Sequence, residues 1–362
     1  MTNPYQDLPE TAFWRSGVAD MAAEQMRGLW QPRFDISPDM PIVTAGSCFA
    51  QHIGRALKAR GYHWYDAEPA PGPEALRHAF YYGVFSFRTG NIYTTRMLHQ
   101  WFDWALHPKR CPDLFWCQDG RVHDPFRPTI EPDGFDSVEE GRTSRQATLA
   151  AIRDAMRKAR LFIFTLGLTE CWRDSVEKVE YAVCPGTIAG SFDPGRHQFH
   201  NMTQHEVLDN LNAALALLRN VNPGVKILLT VSPVPLTATA SGQHVLTATT
   251  YSKSVLRAAA GTIMEENEDV DYFPSYEIIT SPVFGGRFYA SNMRGVTSEG
   301  VSHVMTCFFD DLSARFGTTS RPDLITPSAA KIGDDQTDDA EDLRCEEEML
   351  ASFQTPGQRT AP

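Results

Sequence analysis

A serine placed where a buried strand turns into a helix can act as a nucleophile, and this chain has one. The run Pro41-Ile42-Val43-Thr44-Ala45 is apolar and β-branched, and Gly46-Ser47-Cys48-Phe49-Ala50 follows it directly. Phe49, Ile53 and Leu57 then recur at helical spacing until Gly61. The Ser47 hydroxyl would face a cleft, beside helix N–H groups able to stabilise an oxyanion. The same residues also fit a tight turn with Ser47 as an ordinary helix cap. Cys48 is a second candidate nucleophile, because a helix N-terminus lowers a thiol pKa. A buried, inert thiol is the plainer reading of it.

A nucleophile needs a proton acceptor. His303 falls in the last helical segment, and His200 just precedes the capping box Thr203-Gln204-His205-Glu206. His52 lies five residues past Ser47, an offset that rotates it away from the i+3 and i+4 positions facing the serine. Glu170 and Glu277 each follow a strand. A buried glutamate with a raised pKa can serve as a base, although a structural salt bridge is the commoner use.

The elements that would position these groups alternate. Strand patterns cover 41–45, 161–165, 226–231 and 270–273. Helical patterns cover 47–60, 143–160, 203–218, 252–266 and 297–316. Such alternation predicts a three-layer α/β fold, a flavodoxin-like parallel sheet with helices on both faces. Ligands of such folds gather at the carboxyl ends of the strands. Four strand ends carry polar residues: Ser47, then Gly167 and Thr169, then Ser232, then Ser275 with Glu277. Residues 62–142 interrupt the rhythm and read as a large insertion or cap. Its Trp101, Phe102, Trp104 and Phe115 fit a substrate-stacking surface or plain core. Residues 1–37 form an N-terminal extension, and 38–318 the main domain.

Charge narrows the function classes. The chain has 362 residues, with 33 Lys and Arg against 45 Asp and Glu, a formal charge of −12. Nucleic acid is therefore not an expected partner. No apolar run reaches the roughly 18–20 residues of a membrane span, and no signal-peptide pattern opens the chain. Seven widely spaced cysteines lack a C-x-x-C pair, which fits reduced thiols in a cytoplasmic protein and no metal site or cofactor. Residues 319–362 read as a disordered acidic tail, since 320–362 hold ten acids and four bases. One island, Glu341 to Phe353, sets Leu343, Leu350 and Phe353 at helical spacing, the place where a tail partner could dock.

TAGSCFAQHIG at 44–54 resembles the signature of the GSCFA family, placed in the SGNH (GDSL-like) hydrolase superfamily. TLGLTECW at 165–172, TVSPVPLTAT at 230–239, YSKSVLRAAA at 251–260 and YFPSYEII at 272–279 extend the resemblance over about 38–316. It implies that Ser47 is the nucleophile. Gly90 resembles the second-block glycine whose N–H joins the oxyanion hole, with Asn91 beside it, and Gly167 and Thr169 fall in the Gly-x-Asn-Asp block. The fifth block departs: where the superfamily has Asp-x-x-His, this chain has Asn292-x-x-Gly295. The expected function is a serine esterase or acyl-transfer enzyme on small-molecule or glycan esters. The alternative is a binding protein that keeps the cleft without the base.

Overall fold

The structure is a computed structural model and describes residues 3–72, 78–317 and 345–353. Four core strands form one parallel sheet: β1 (Ile42–Gly46), β2 (Leu161–Leu166), β3 (Lys226–Val231) and β4 (Val270–Tyr272). They lie side by side in chain order, Ile42 paired with Leu161 and Leu161 with Lys226. Seven α-helices accompany them among the described residues: α1 (Phe49–Ala59), α2 (Thr95–Leu106), α3 (Val138–Lys158), α4 (Gln204–Val221), α5 (Val245–Glu266), α6 (Ser275–Thr280) and α7 (Ser298–Phe316).

The strands are mostly apolar because both faces are covered, and their period of two sorts the core. Phe162, Phe164 and Leu166 of β2 face a core built with α2, α3, α4 and α5. Leu161 and Ile163 face the other core, built with α1, α6 and α7. The N-terminal stretch joins the second core: Trp30 stacks on Phe308 with ring centroids 5.0 Å apart.

Beyond β1 the chain returns once more. Ile42 bridges Trp64 in parallel, the Ile42 N–H donating to His63 O at 2.9 Å and the Tyr65 N–H to Ile42 O at 2.8 Å. Counting this short edge, the strand order is 2-1-3-4-5, the flavodoxin order. The direction of winding reverses between β1 and β2, the point where a crevice opens at the strand ends. Ser47 and Gly167 stand at that crevice.

Several boundaries differ from the sequence pattern. Helix α5 starts at Val245, not 252, because His244 Nδ1 accepts the Leu246 N–H and so caps a stretch whose threonines had masked the period. Helix α2, inside 62–142, carries Trp101, Phe102 and Trp104 into the first core, where Phe102 meets Phe162 at 5.5 Å. These rings are core, and Phe115 lies half-buried under the Arg145 guanidinium. A second, antiparallel sheet over 170–201 pairs Glu170–Asp174 with Glu180–Tyr181 and His197–Asn201. Most of the expected disordered tail lies outside the described residues. Glu346–Phe353 is different: it forms a 3-10 helix with Glu346 and Glu347 buried, so the island at helical spacing packs on the chain itself.

Candidate functional site

Two glycines set the geometry around Ser47. Gly46 has φ +136°, and a Cβ on it would stand 2.4 Å from Thr165 O. Only glycine lets β1 turn there against β2. A Cβ on Gly167 would stand 2.9 Å from both Ser47 Cβ and Tyr93 O. Gly167 therefore clears room for the serine from the end of β2. The loop 86–92 is laced along β1: Ser86 Oγ accepts the Thr44 N–H at 3.0 Å, and the Ile92 N–H donates to Gly46 O at 2.8 Å. That lacing brings Gly90 and Asn91 to the end of β1.

Ser47 itself is 2% exposed, and its Oγ has no hydrogen-bond partner among the described residues. A buried hydroxyl without a partner costs about 1–3 kcal/mol. Its N–H donates to Thr165 O at 3.1 Å. The Thr169 hydroxyl donates to Asn201 Oδ1 at 2.6 Å, and the Thr169 N–H to Ser252 Oγ at 3.0 Å. In this structure the Ser47 N–H and both Thr169 donors are thus engaged elsewhere. Gly90, in the left-handed region at φ +68°, lies beside the cleft, where the Asn91 amide donates to the Glu346 carboxylate. Asn91 is oriented by Gln51 Nε2, which donates to its Oδ1 at 3.3 Å.

The expected bases are dispersed. His303 packs between aromatic rings, 4.9 Å from Phe288 and 5.3 Å from Phe284 by centroid. His200 Nε2 meets Glu206 Oε1 at 2.8 Å. Glu277 pairs with Arg257 and accepts from Tyr272 OH. Glu170 accepts from Thr239 Oγ1 at 2.6 Å, and burial raises its pKa. None of them hydrogen-bonds Ser47 Oγ. His52 Nε2 is also buried without a partner among the described residues. Burial, with Arg55 nearby, pushes its pKa down to about 4, so its ring is neutral at pH 7. Ser232 shapes its own loop, its N–H donating to Leu166 O and its Oγ accepting the Val234 N–H.

The fifth-block turn has a different use here. Asn292 Oδ1 accepts the Arg294 and Gly295 N–H groups, each at 2.9 Å, so it closes its own turn. The turn delivers Arg294 instead. Its guanidinium reaches Pro235 O at 3.2 Å and Glu347 Oε2 at 3.2 Å. Cys48, His52, Asn292, Arg294 and Cys345 line one common cavity.

Sequence reasoning missed Lys253. It is 1% exposed, and its Nζ donates to Gly167 O at 2.7 Å. Burial brings its pKa down to about 8, against the pull of Glu347. The signal was available: Ser252, Lys253, Leu256 and Ala260 share the buried stripe of α5, and a lysine in an apolar stripe needs a reason. Also unforeseen was where the segment from Cys345 onward docks. The Cys345 thiol hydrogen-bonds that of Cys48; this contact and burial hold Cys48 well above the usual thiol pKa. No cluster of three His, Cys, Asp or Glu side chains among the described residues is arranged to hold a metal ion, and no described helix is long and apolar enough to cross a membrane. The model of the GSCFA family matches residues 41–308. No curated protein matches the chain.

Proposed function

The chain belongs to the GSCFA family, and on that premise we propose that it is a serine-dependent ester hydrolase or acyl-transfer enzyme with Ser47 as nucleophile. The observation that carries this reading is the Ser47 hydroxyl: buried, unpartnered among the described residues, and cleared by two glycines at the switch point of the sheet. Folding tolerates the cost of such a group most readily where function uses it.

In the proposed step, Ser47 Oγ attacks an ester carbonyl and its proton passes to Lys253 in the neutral form. The carbonyl oxygen becomes an oxyanion beside Gly90 and Asn91. The tetrahedral intermediate then expels the alcohol, which takes the proton, and leaves an acyl-enzyme. Water or a sugar hydroxyl accepts the acyl group. Lysine suits this role because burial has already brought its pKa to about 8, and a base works best with a pKa near the operating pH. Serine–lysine pairs replace the usual triad on several folds.

A second reading has its own observation. Asn292 serves its own turn and Gly295 carries no side chain, so the usual base and its orienting acid are gone. On that reading the chain binds esters without turning them over. A fluorophosphonate probe, followed by peptide mapping, separates the two. The enzyme reading expects an adduct on Ser47, and ester turnover that falls at least about 10³-fold in Ser47→Ala. Folded protein that binds ligand but forms no adduct supports the binding protein.

A further inference from the structure

The cleft beside Ser47 is already occupied by residues from the far end of the chain. The Glu346 carboxylate accepts from Thr129 Oγ1 at 3.1 Å, from Tyr93 OH at 3.1 Å and from the Asn91 amide. Its Oε1 lies 3.0 Å from where a Gly90 Cβ would stand. The Glu347 carboxylate accepts the Thr237 N–H at 2.9 Å and the Arg294 guanidinium at 3.2 Å, with the Lys253 charge acting on it. Both glutamates are under 10% exposed. Burying two carboxylates is unfavourable unless donors await them, and here every donor belongs to another part of the chain. Farther along, Leu350 and Phe353 line an apolar cavity of about 540 Å³ together with Trp172, Phe199 and Leu236.

The first carboxylate position is the telling one. Ester cleavage at Ser47 releases a carboxylic acid, and its carboxylate would rest against Gly90 and Asn91, where Glu346 now rests. The second position is a separate anion seat with its own arginine. We propose that the cleft recognises an acyl group bearing a second carboxylate, and that Cys345–Phe353 is its tethered stand-in, which must leave before substrate enters. This rests on the reading that the Ser47 cleft is the substrate site.

The test follows iodoacetamide labelling of Cys345 in the full chain by peptide mass spectrometry, with exposed Cys117 as the reference thiol. In the parent protein Cys345 should label far more slowly than Cys117. The double variant Glu346→Gln, Glu347→Gln should speed Cys345 labelling about tenfold or more, since hydrogen bonds to charged groups are worth more than neutral ones. A peptide SEEEMLASF, the segment with serine for Cys345, should speed labelling of the parent saturably by displacing the tether. Glutarate should do the same, whereas butyrate and a peptide with glutamine at the two anchoring positions should not. Arg294→Ala should abolish the difference between glutarate and butyrate.

Cys345 labelling as fast as Cys117 in the parent would overturn the proposal, as would a double variant that still labels slowly. A response to the peptide but not to glutarate would overturn the substrate assignment, leaving a receptor for the tether alone. Ser47→Ala should behave like the parent in this assay. Failure of the ester chemistry and failure of this proposal are therefore distinguishable.

Discussion

Asp124 and Glu347 are both carboxylates buried against arginine, and their surroundings could hardly be less alike. Asp124 accepts from Arg127 Nε, from Arg145 Nε and Nη2, and from the Phe126 N–H, at 2.9 to 3.1 Å. Its arginines are satisfied in turn: Arg127 donates to Arg88 O, Thr148 and Ser144, and Arg145 to Pro112 O and Leu114 O. Burial alone would raise the Asp124 pKa, but the two guanidinium groups outweigh it and hold it below the usual range. For Glu347 the balance goes the other way. Burial wins over Arg294, and its pKa rises. Beside it stands a lysine pulled down to about 8, and on the Ser47–His52 side of the site two buried atoms, Ser47 Oγ and His52 Nε2, have no partners among the described residues. A fully connected polar network fixes a scaffold; a partly satisfied one at a cleft marks where a ligand or a reaction supplies what is missing.

The comparison breaks most sharply at Asp124. Asp124→Asn should cost about 3–5 kcal/mol of unfolding free energy, because it strands two buried guanidinium groups. Glu347→Gln should stay within about 1 kcal/mol in urea titrations at pH 7, because its segment can leave the cleft. Equal losses would show that the two clusters are the same kind of structure. The pH signs also differ. The depressed Asp124 pKa stabilises the fold above the ordinary carboxylate range, and this is lost as pH falls through the folded value. The raised Glu347 pKa gives no such stabilisation.

Lysine 253 sharpens the contrast on the side of chemistry. Lys253→Met should slow fluorophosphonate labelling of Ser47 about 10²-fold, the usual range for losing a general base. In the parent the rate should climb as pH rises through about 8, where the amine becomes neutral, and the variant should lose that midpoint. Because an apolar chain replaces a buried ammonium, the fold should not weaken with it. A variant that retains the parent's pH profile would remove Lys253 from the mechanism.

What the sequence made legible follows from how locally each feature is encoded. The parallel sheet and its helices were readable because the 3.6 and 2.0 periods are local, and Thr203 with Glu206 closes its capping box as the pattern states. The position of Ser47 at a strand end was readable for the same reason. The proposed proton acceptor was not, because such a group is chosen by distance in space: Lys253 lies 206 residues from Ser47 in sequence, and its Nζ donates to Gly167 O at the neighbouring strand end. The cluster of acids at 346–348 read as tail because charge density predicts solvation. The burial of Glu346 and Glu347 depends on Asn91, Tyr93, Thr129 and Arg294, which three separate stretches of chain bring together.

The smallest expected effect tests the other orphan of the cleft. His52 packs edge-on against Phe49 at 5.5 Å, and burial keeps its ring neutral, with a pKa near about 4. The unfolded chain would bind a proton near the ordinary 6.5, so the folded state loses stability as pH falls from 6.5 toward 4. His52→Asn should remove that slope: a deficit of about 1 kcal/mol at pH 7, from lost packing, should shrink at pH 5 in paired urea titrations. Ser47 labelling in this variant should stay within about twofold of the parent, because the i+5 offset turns the ring away from the serine. A loss as deep as that of Lys253→Met would move the proton acceptor from α5 to α1. It would also make the two unpartnered atoms, Ser47 Oγ and His52 Nε2, a resting pair that a substrate brings into contact.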